Sequence, residues 1–268
     1  MKRPLSCLRS LALASSLALF SLVATMAPIA RAQEAAPPAT EQAIDARVLL
    51  SALGALADTR IRSMADALAV TAQGQDARSL EWERIRPLLA IVQERFGPAT
   101  VWFARPDGSY FTVDQGATNA SLKDRPYFPK LMAGEATAGE LVVSRSTGSN
   151  TVIAAVPIMA DGRAVGALGA SIHLDALARM IRESAPLPDG FVFYALDARG
   201  QIALHTQENR IFQEATQLGS PTLSEAVRRM LATPEGAVTY EFEGGKQRAL
   251  YRTSALTGWK FALRFPAE

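Results

Sequence analysis

The predicted order of secondary-structure elements occurs twice along the chain, and this repetition constrains the fold more than any other feature. A hairpin, a stretch containing a helix and three further strands are predicted within residues 99–186, and the same order is predicted within 187–268. The hairpin turns also correspond, since Gly108 ends the first turn and Gly200 ends the second. The sequence therefore predicts an α+β fold with two antiparallel five-stranded sheets, each flanked by helices.

Two amphipathic helices are predicted ahead of the first sheet. Apolar residues recur at helical spacing over residues 43–71, and a second helix is predicted over 80–96, where a Gly-Pro pair ends the pattern. The chain thus divides into five predicted segments. They are a signal peptide (1–32), a flexible lead (33–42), an N-terminal helical segment (43–98), a first sheet unit (99–186) and a second sheet unit (187–268).

The first 32 residues are typical of a secretory signal peptide. Three basic residues precede an apolar run over 10–26, Pro28 breaks the run, and Ala30-Arg31-Ala32 provides the small residues that a signal peptidase requires. We expect cleavage after Ala32 and a periplasmic mature protein. The alternative is an uncleaved signal that anchors the protein to the inner membrane, because residues 10–30 are just long enough to span a bilayer.

Removal of the signal changes the charge of the chain and takes away its cysteine. Of 28 basic residues, four lie in the signal, so 24 remain against 26 acidic residues and the net charge becomes about −2. No nucleic-acid partner is expected, because such a partner requires a basic surplus. The single cysteine, Cys7, also leaves with the signal, so the mature chain has no thiol for catalysis, metal binding or a disulfide.

Five short motifs follow one another along the two predicted units. They are Asp124-Arg125-Pro126-Tyr127-Phe128, Ser144-Arg145-Ser146-Thr147-Gly148, Ala154-Ala155-Val156-Pro157-Ile158, Gly162-x-x-x-Gly166-Ala-Leu-Gly169 and Leu256-Thr257-Gly258-Trp259-Lys260. In order and spacing they resemble the double Cache sensor domain over about residues 43–266. The resemblance implies two PAS-like units on a long helix, outside the membrane, as in chemoreceptors, sensor kinases and cyclases. It also implies that 99–186 is the membrane-distal, ligand-binding unit and 187–268 the membrane-proximal unit.

One departure from the family bears on how a signal would leave the protein. Receptors of this kind continue into a second transmembrane helix and an output domain, whereas this sequence stops at Glu268. We therefore expect a free-standing sensing module that signals through a partner such as a membrane receptor, a sensor kinase or a cyclase. The alternative is a structural or interaction module with a vestigial pocket, whose N-terminal helix forms a weak homodimer or docks a membrane receptor.

Arg125, Tyr127 and Phe128 are the main candidates for a ligand site. A planar guanidinium can hold a carboxylate through two parallel hydrogen bonds, and aromatic rings can wall a pocket at little entropic cost. The resemblance supports this role, because family members that sense amino acids carry an Arg-x-aromatic-aromatic pattern here. The alternative is a surface ion pair between Arg125 and Asp124 beside two core aromatic side chains.

Ser171 bears on the class of ligand. The resemblance implies that amino-acid sensors place an acid here, in the last strand of the distal unit, to meet the ammonium group of the ligand. A serine hydroxyl forms hydrogen bonds but does not neutralise a cation. We therefore expect a small organic acid rather than an α-amino acid as the ligand.

Five further residues are secondary candidates for the pocket. The hydroxyl groups of Ser144, Ser146 and Thr147 can line it, and the alternative is ordinary turn chemistry around the adjacent glycine. Trp102 and Tyr110 can form walls, and the alternative is that they belong to the hairpin core. Strand alternation allows only some of these side chains to face inward, and the sequence leaves that choice open.

The sequence does not favour an enzyme, a cofactor or a metal site. Its two histidines, His173 and His205, fall in separate units and form no metal-binding motif. There is no G-x-S-x-G nucleophile motif. The glycine-rich stretch over 162–169 falls within predicted strands rather than between a strand and a helix, so it does not predict a phosphate-binding loop.

Overall fold

The computed structural model describes residues 45–267, and every structural statement below concerns that part of the chain. The predicted signal peptide and flexible lead lie outside it. A long helix, α1 (Ala46–Ala72), begins after Asp45, whose side chain accepts a hydrogen bond from the backbone N–H of Arg47 over 2.8 Å. Its buried residues recur at spacings of three and four, so one side of this 27-residue helix faces the interior.

Shorter helices follow within residues 45–267, and the one predicted over 80–96 begins two residues later than expected. They are α2 (Gln75–Arg78), α3 (Trp82–Phe96), α4 (Phe128–Met132), α5 (Leu174–Ser184) and α6 (Pro221–Ala232). Across this described part of the chain, no helix combines the length and apolar character needed to cross a bilayer.

The first sheet contains six antiparallel strands. They are β1 (Ala99–Ala104), β2 (Ser109–Thr112), β3 (Gly116–Ser121), β4 (Thr137–Val143), β5 (Asn150–Ala160) and β6 (Arg163–His173). Their spatial order is β3-β2-β1-β6-β5-β4. The sheet has one strand more than predicted, because β3 is small and polar, shows no apolar alternation, and pairs with β2 at the sheet edge.

The second sheet contains five antiparallel strands, as predicted. They are β7 (Val192–Leu196), β8 (Ile202–His205), β9 (Glu235–Phe242), β10 (Gly245–Thr253) and β11 (Lys260–Pro266). Their order, β8-β7-β11-β10-β9, is the same as that of β2-β1-β6-β5-β4 in the first sheet. The repeated arrangement and the α+β fold class are therefore confirmed.

An apolar core lies between α1 and the two sheets. Leu53 and Ile61 of α1 share it with Val101 and Phe103 of β1 and with Phe261 of β11. Each sheet also carries an apolar cluster of its own on its outer face. The strand residues of these clusters alternate with those of the shared core, because successive side chains of a strand point to opposite faces. Helix α4 contributes to the outer cluster of the first sheet and α6 to that of the second.

A turn of the second sheet contacts both the first sheet and α1. Trp259 Nε1 donates a hydrogen bond to the backbone oxygen of Gly139 in β4 over 2.8 Å. Gly139 has φ +102°, and a Cβ there would lie 2.7 Å from the backbone oxygen of Thr257, so the approach requires glycine. Ser254 Oγ donates to the carboxylate of Asp58 in α1 over 2.8 Å.

His205 is expected to make the stability of the fold depend on pH. Burial, and then the charges of Arg264 and Arg210, lower the pKa of His205 from 6.5 to about 4. The folded state thus binds the proton less tightly than the unfolded state. The stabilising contribution of neutral His205 should be complete above pH 6.5 and should be lost as the pH falls towards 4.

Urea unfolding measured between pH 7 and pH 4 tests this prediction. The backbone N–H of Gln207 donates to His205 Nδ1 over 2.9 Å, and the side-chain oxygen of an asparagine can replace that acceptor. His205→Asn is therefore the matched control, and its free energy of unfolding should fall less over this range. An identical pH dependence in the two proteins would contradict the assignment.

Candidate functional site

The four aromatic side chains predicted for the pocket lie together on the outer face of the first sheet. Trp102 of β1, Tyr110 of β2, and Tyr127 and Phe128 at the start of α4 belong to one buried cluster. The neighbours of Trp102 in β1 point into the shared core, so Trp102 points the other way. The ring centroids of Trp102 and Tyr127 are 6.3 Å apart. Trp102 and Tyr110, whose direction the sequence left open, thus both face the outer side of the sheet.

Backbone hydrogen bonds fold the segment before α4 onto this face. The N–H of Leu122 donates to the oxygen of Gly108 over 2.8 Å, that of Arg125 to Leu122 over 2.9 Å, and that of Phe128 to Arg125 over 3.0 Å. These successive tight turns bury Tyr127 and Phe128 and leave Arg125 half-buried. Burial raises the pKa of the Tyr127 phenol, so this group stays neutral and acts only through hydrogen bonds and packing.

Arg125 carries a hydrogen-bond donor that is not used within residues 45–267. Its Nη2 donates to the backbone oxygen of Val143 over 2.7 Å, while its Nε is buried without a hydrogen-bond partner. Asp124 forms its ion pair with Arg145, through two contacts of 2.6 Å. Those hydrogen bonds from Arg145 lower the pKa of Asp124 to about 2. Asp124 therefore pairs with Arg145, and not with Arg125 as the alternative interpretation had it.

The three hydroxyl residues Ser144, Ser146 and Thr147 form a turn between β4 and β5. The Oγ of Ser144 is 3.2 Å from that of Ser146 and accepts a hydrogen bond from the N–H of Thr147 over 3.3 Å. Ser144 is buried, Ser146 is half-buried and Thr147 is exposed. These contacts are those of a turn, as the alternative interpretation expects, and a ligand role for the three residues stays a prediction.

Ser171 lies beside the aromatic cluster, where the indole of Trp102 engages its hydroxyl group. Trp102 stands opposite Gly169 in the pairing of β1 with β6, and its Nε1 donates to Ser171 Oγ over 3.3 Å. The ring lies directly on Gly169, where a Cβ would be 2.5 Å from Trp102 Cε2. The indole thus covers the part of β6 where the family resemblance places an acid.

Two residues that shape this face, Gly169 and Arg145, were not expected from the sequence to do so. Gly169 was noted only within a motif, although a glycine inside a strand is a signal for a close approach of another group. Arg145 binds Asp124 and also donates to the backbone oxygen of Ser121, which ties the turn after β4 to residues 121–124. No local pattern indicated this role, because these partners are 21 and 24 residues away in the sequence.

Two antiparallel sheets with five strands in equivalent order, packed on one long helix, form a tandem α+β fold. The Cache domain model matches residues 38–268, and the chain belongs to the Cache domain family. No curated protein sequence is detectably similar to the chain.

Several solved structures share this fold at low sequence identity. The extracellular domain of rpHK1S-Z16, assigned as a histidine kinase, has a TM-score of 0.67 and 16% identity, covering 82% of this chain and 92% of that one. The ligand-binding domain of the amino acid chemoreceptor PctB of Pseudomonas aeruginosa, in complex with L-Arg, has a TM-score of 0.64 and 15% identity, covering 81% and 91%. That of CtaA of Pseudomonas fluorescens, in complex with L-isoleucine, has a TM-score of 0.62 and 14% identity, covering 81% and 88%.

Proposed function

We propose that this chain is an exported sensor module, not an enzyme, that binds a small carboxylate on the outer face of the first sheet. The observation that supports this most directly is the buried Nε–H of Arg125, which has no partner among residues 45–267 and lies next to a cluster of aromatic side chains. A ligand carboxylate would accept hydrogen bonds from this guanidinium, and the rings of Tyr127 and Phe128 would supply apolar walls.

The ligand class follows from the charges around Arg125. PctB and CtaA were solved with amino acids bound, and an amino acid presents both a carboxylate and an ammonium group. Here Ser171 stands where the resemblance places an acid, and Asp124 is already neutralised by Arg145. A ligand that offers a carboxylate without an ammonium group fits these surroundings better, so an organic acid is favoured over an α-amino acid.

The proposed route of the signal begins outside the cytoplasm. Residues 1–32 would direct export and be removed after Ala32, or remain as an anchor in the inner membrane. A change in the first sheet on binding would reach α1 through their shared core. A membrane receptor, a sensor kinase or a cyclase that contacts this protein would then respond to it, without involvement of nucleic acid.

Arg125→Ala is expected to abolish stabilisation by the organic acids that bind on the first sheet. A ligand at 100 times its dissociation constant stabilises the folded state by about 2.7 kcal/mol, which is measured as an increase in melting temperature. We expect one or more small organic acids to produce such an increase in the wild type, and amino acids and amines to produce less. In Arg125→Ala the increase should disappear while the far-UV circular dichroism spectrum is retained.

Arg163→Ala is the matched control, because Arg163 is an exposed arginine at the start of β6. It should leave the increase in melting temperature unchanged. An increase that survives in Arg125→Ala for every organic acid that stabilises the wild type would disprove the site.

An interaction module with a vestigial pocket remains the second candidate function. Two large apolar side chains of α1 are exposed, Val48 at 65% and Val70 at 73%. They are separated by about six helical turns and so lie on nearly the same side of α1. This candidate function predicts that no organic acid stabilises the protein, which the same melting experiment distinguishes.

A further inference from the structure

The outer face of the second sheet carries a small cavity that the proposed function does not use. Its volume is about 40 Å³. One water requires roughly 10–15 Å³ by this measure, so the cavity has room for about three water-sized groups. Strands of the sheet and helix α6 supply its walls, which are mainly aliphatic. These walls include Val192, Leu196, Ile202, Leu218, Leu223 and Val227.

Arg264 of β11 places a cation in the wall of this cavity. Its side chain is only 14% exposed, and its Nε is buried without a hydrogen-bond partner in residues 45–267. Glu243 lies 3.5 Å from Arg264 and 3.1 Å from Arg210, so one carboxylate is shared between two guanidinium groups. Both guanidinium groups also lie over the ring of Phe242. The two guanidinium groups and the one carboxylate therefore carry a net charge of +1.

His205 of β8 presents a second donor to the same cavity. Its Nδ1 accepts a hydrogen bond from the backbone, so the proton of the neutral ring lies on Nε2. Burial and two nearby guanidinium groups lower the pKa of His205 to about 4, which keeps the ring neutral near pH 7. Tyr194 and Tyr240 also line the cavity, and burial raises the pKa of each phenol. Arg264 and His205 thus contribute hydrogen-bond donors to the polar part of the wall.

We propose that this cavity is a second ligand site, independent of Arg125, for a short aliphatic monocarboxylate. The carboxylate accepts hydrogen bonds from Arg264 and His205, and the alkyl group packs against the aliphatic walls. Binding gives the Nε–H of Arg264 the partner that it lacks within the described chain, and the ligand charge balances the cationic cluster.

The size and the charge of the cavity favour a short monocarboxylate over an amino acid or a dicarboxylate. A volume of about 40 Å³ accommodates a chain of about two to four carbons, carboxylate included. An amino acid fits poorly, because none of the lining residues in the described chain is acidic and an ammonium group would lose its hydration uncompensated. A dicarboxylate would place its second charge against aliphatic side chains.

Calorimetric titration of propionate into the signal-free chain tests the proposal. Arg264→Gln removes the charge, and Ala215→Leu fills the cavity, because Ala215 is buried and lines it. We expect Arg264→Gln to raise the dissociation constant of propionate at least tenfold and Ala215→Leu to abolish binding. Arg125→Ala should leave the dissociation constant unchanged. Propylamine, which matches propionate in size but is a cation, should not bind.

Circular dichroism and melting temperatures establish that each variant is folded. If Arg264→Gln does not fold, Ala215→Leu decides the question, because it keeps the charged cluster and removes only the space. The proposal is overturned if 10 mM propionate gives no binding to the wild type, or if Ala215→Leu binds it normally. If Arg125→Ala is the variant that loses binding while Arg264→Gln and Ala215→Leu keep it, propionate binds on the first sheet and the second-site proposal is also overturned. The first-sheet proposal is judged separately, by whether Arg125→Ala abolishes the increase in melting temperature for any other organic acid.

Discussion

Replacement of Trp259 by alanine is expected to lower the free energy of unfolding by about 4 kcal/mol. The indole is 1% exposed, meets the ring of Phe261 edge to face at 6.4 Å, and donates a hydrogen bond to Gly139 of the first sheet. Its loss leaves a large void in the core that the two sheets share, and leaves the Gly139 oxygen without this donor. Unfolding in urea, followed by circular dichroism, measures the change.

Trp259→Phe separates the contribution of the hydrogen bond from that of packing. It keeps an aromatic ring but removes the Nε1 donor, so we expect a smaller loss of about 2 kcal/mol. Both variants should unfold in a single transition, because one core joins the sheets. A loss below about 1 kcal/mol in Trp259→Ala would show that Trp259 does not hold the sheets together.

Gly169→Ala is expected to destabilise the fold by about 3 kcal/mol and to prevent ligand binding on the first sheet. The added methyl group would lie 2.5 Å from Trp102 Cε2 and closer still to two other ring atoms, so the indole must leave its place. Displacement breaks the hydrogen bond to Ser171 and rearranges the aromatic cluster beside Arg125. Near-UV circular dichroism reports the indole, and urea unfolding reports the stability.

Gly245→Ala is the matched control for this prediction. Gly245 also lies in a strand, and a Cβ there meets the end of the flexible Gln247 side chain at 3.5 Å, an ordinary contact. We expect a change within about 0.5 kcal/mol and an unaltered near-UV spectrum. If the two variants lose equal stability, the packing of Trp102 on Gly169 is not the cause.

The repeated arrangement of strands was predictable because its signals are local. Asp161 and Gly162, with φ 49° and 73°, make the two-residue turn that their sequence predicts, and β5 pairs with β6 through it. Strand β3 was missed because its pairing depends on a neighbouring strand and not on its own composition. Local chemistry thus predicts turns and periodic segments, while edge strands depend on tertiary context.

The candidate sites were predictable in part. Arg125, Tyr127 and Phe128 are near neighbours in sequence, so a motif indicated them, and Trp102 joins them only through the pairing of β1 with β6. The cavity of the second sheet gave no sequence signal. Its donors His205 and Arg264 are 59 residues apart in the sequence, and they line one cavity because β8 and β11 both pair with β7.

The helix α1 has a thermodynamic consequence for the whole molecule. It extends for about 40 Å at 1.5 Å per residue, and its buried side supplies part of the interior of both sheets. A molecule that stiffens either sheet would therefore restrict the motion of α1, against which the other sheet also packs. If ligands occupy both outer faces as proposed, any effect of one on the affinity of the other would, by linkage, be equal in each direction.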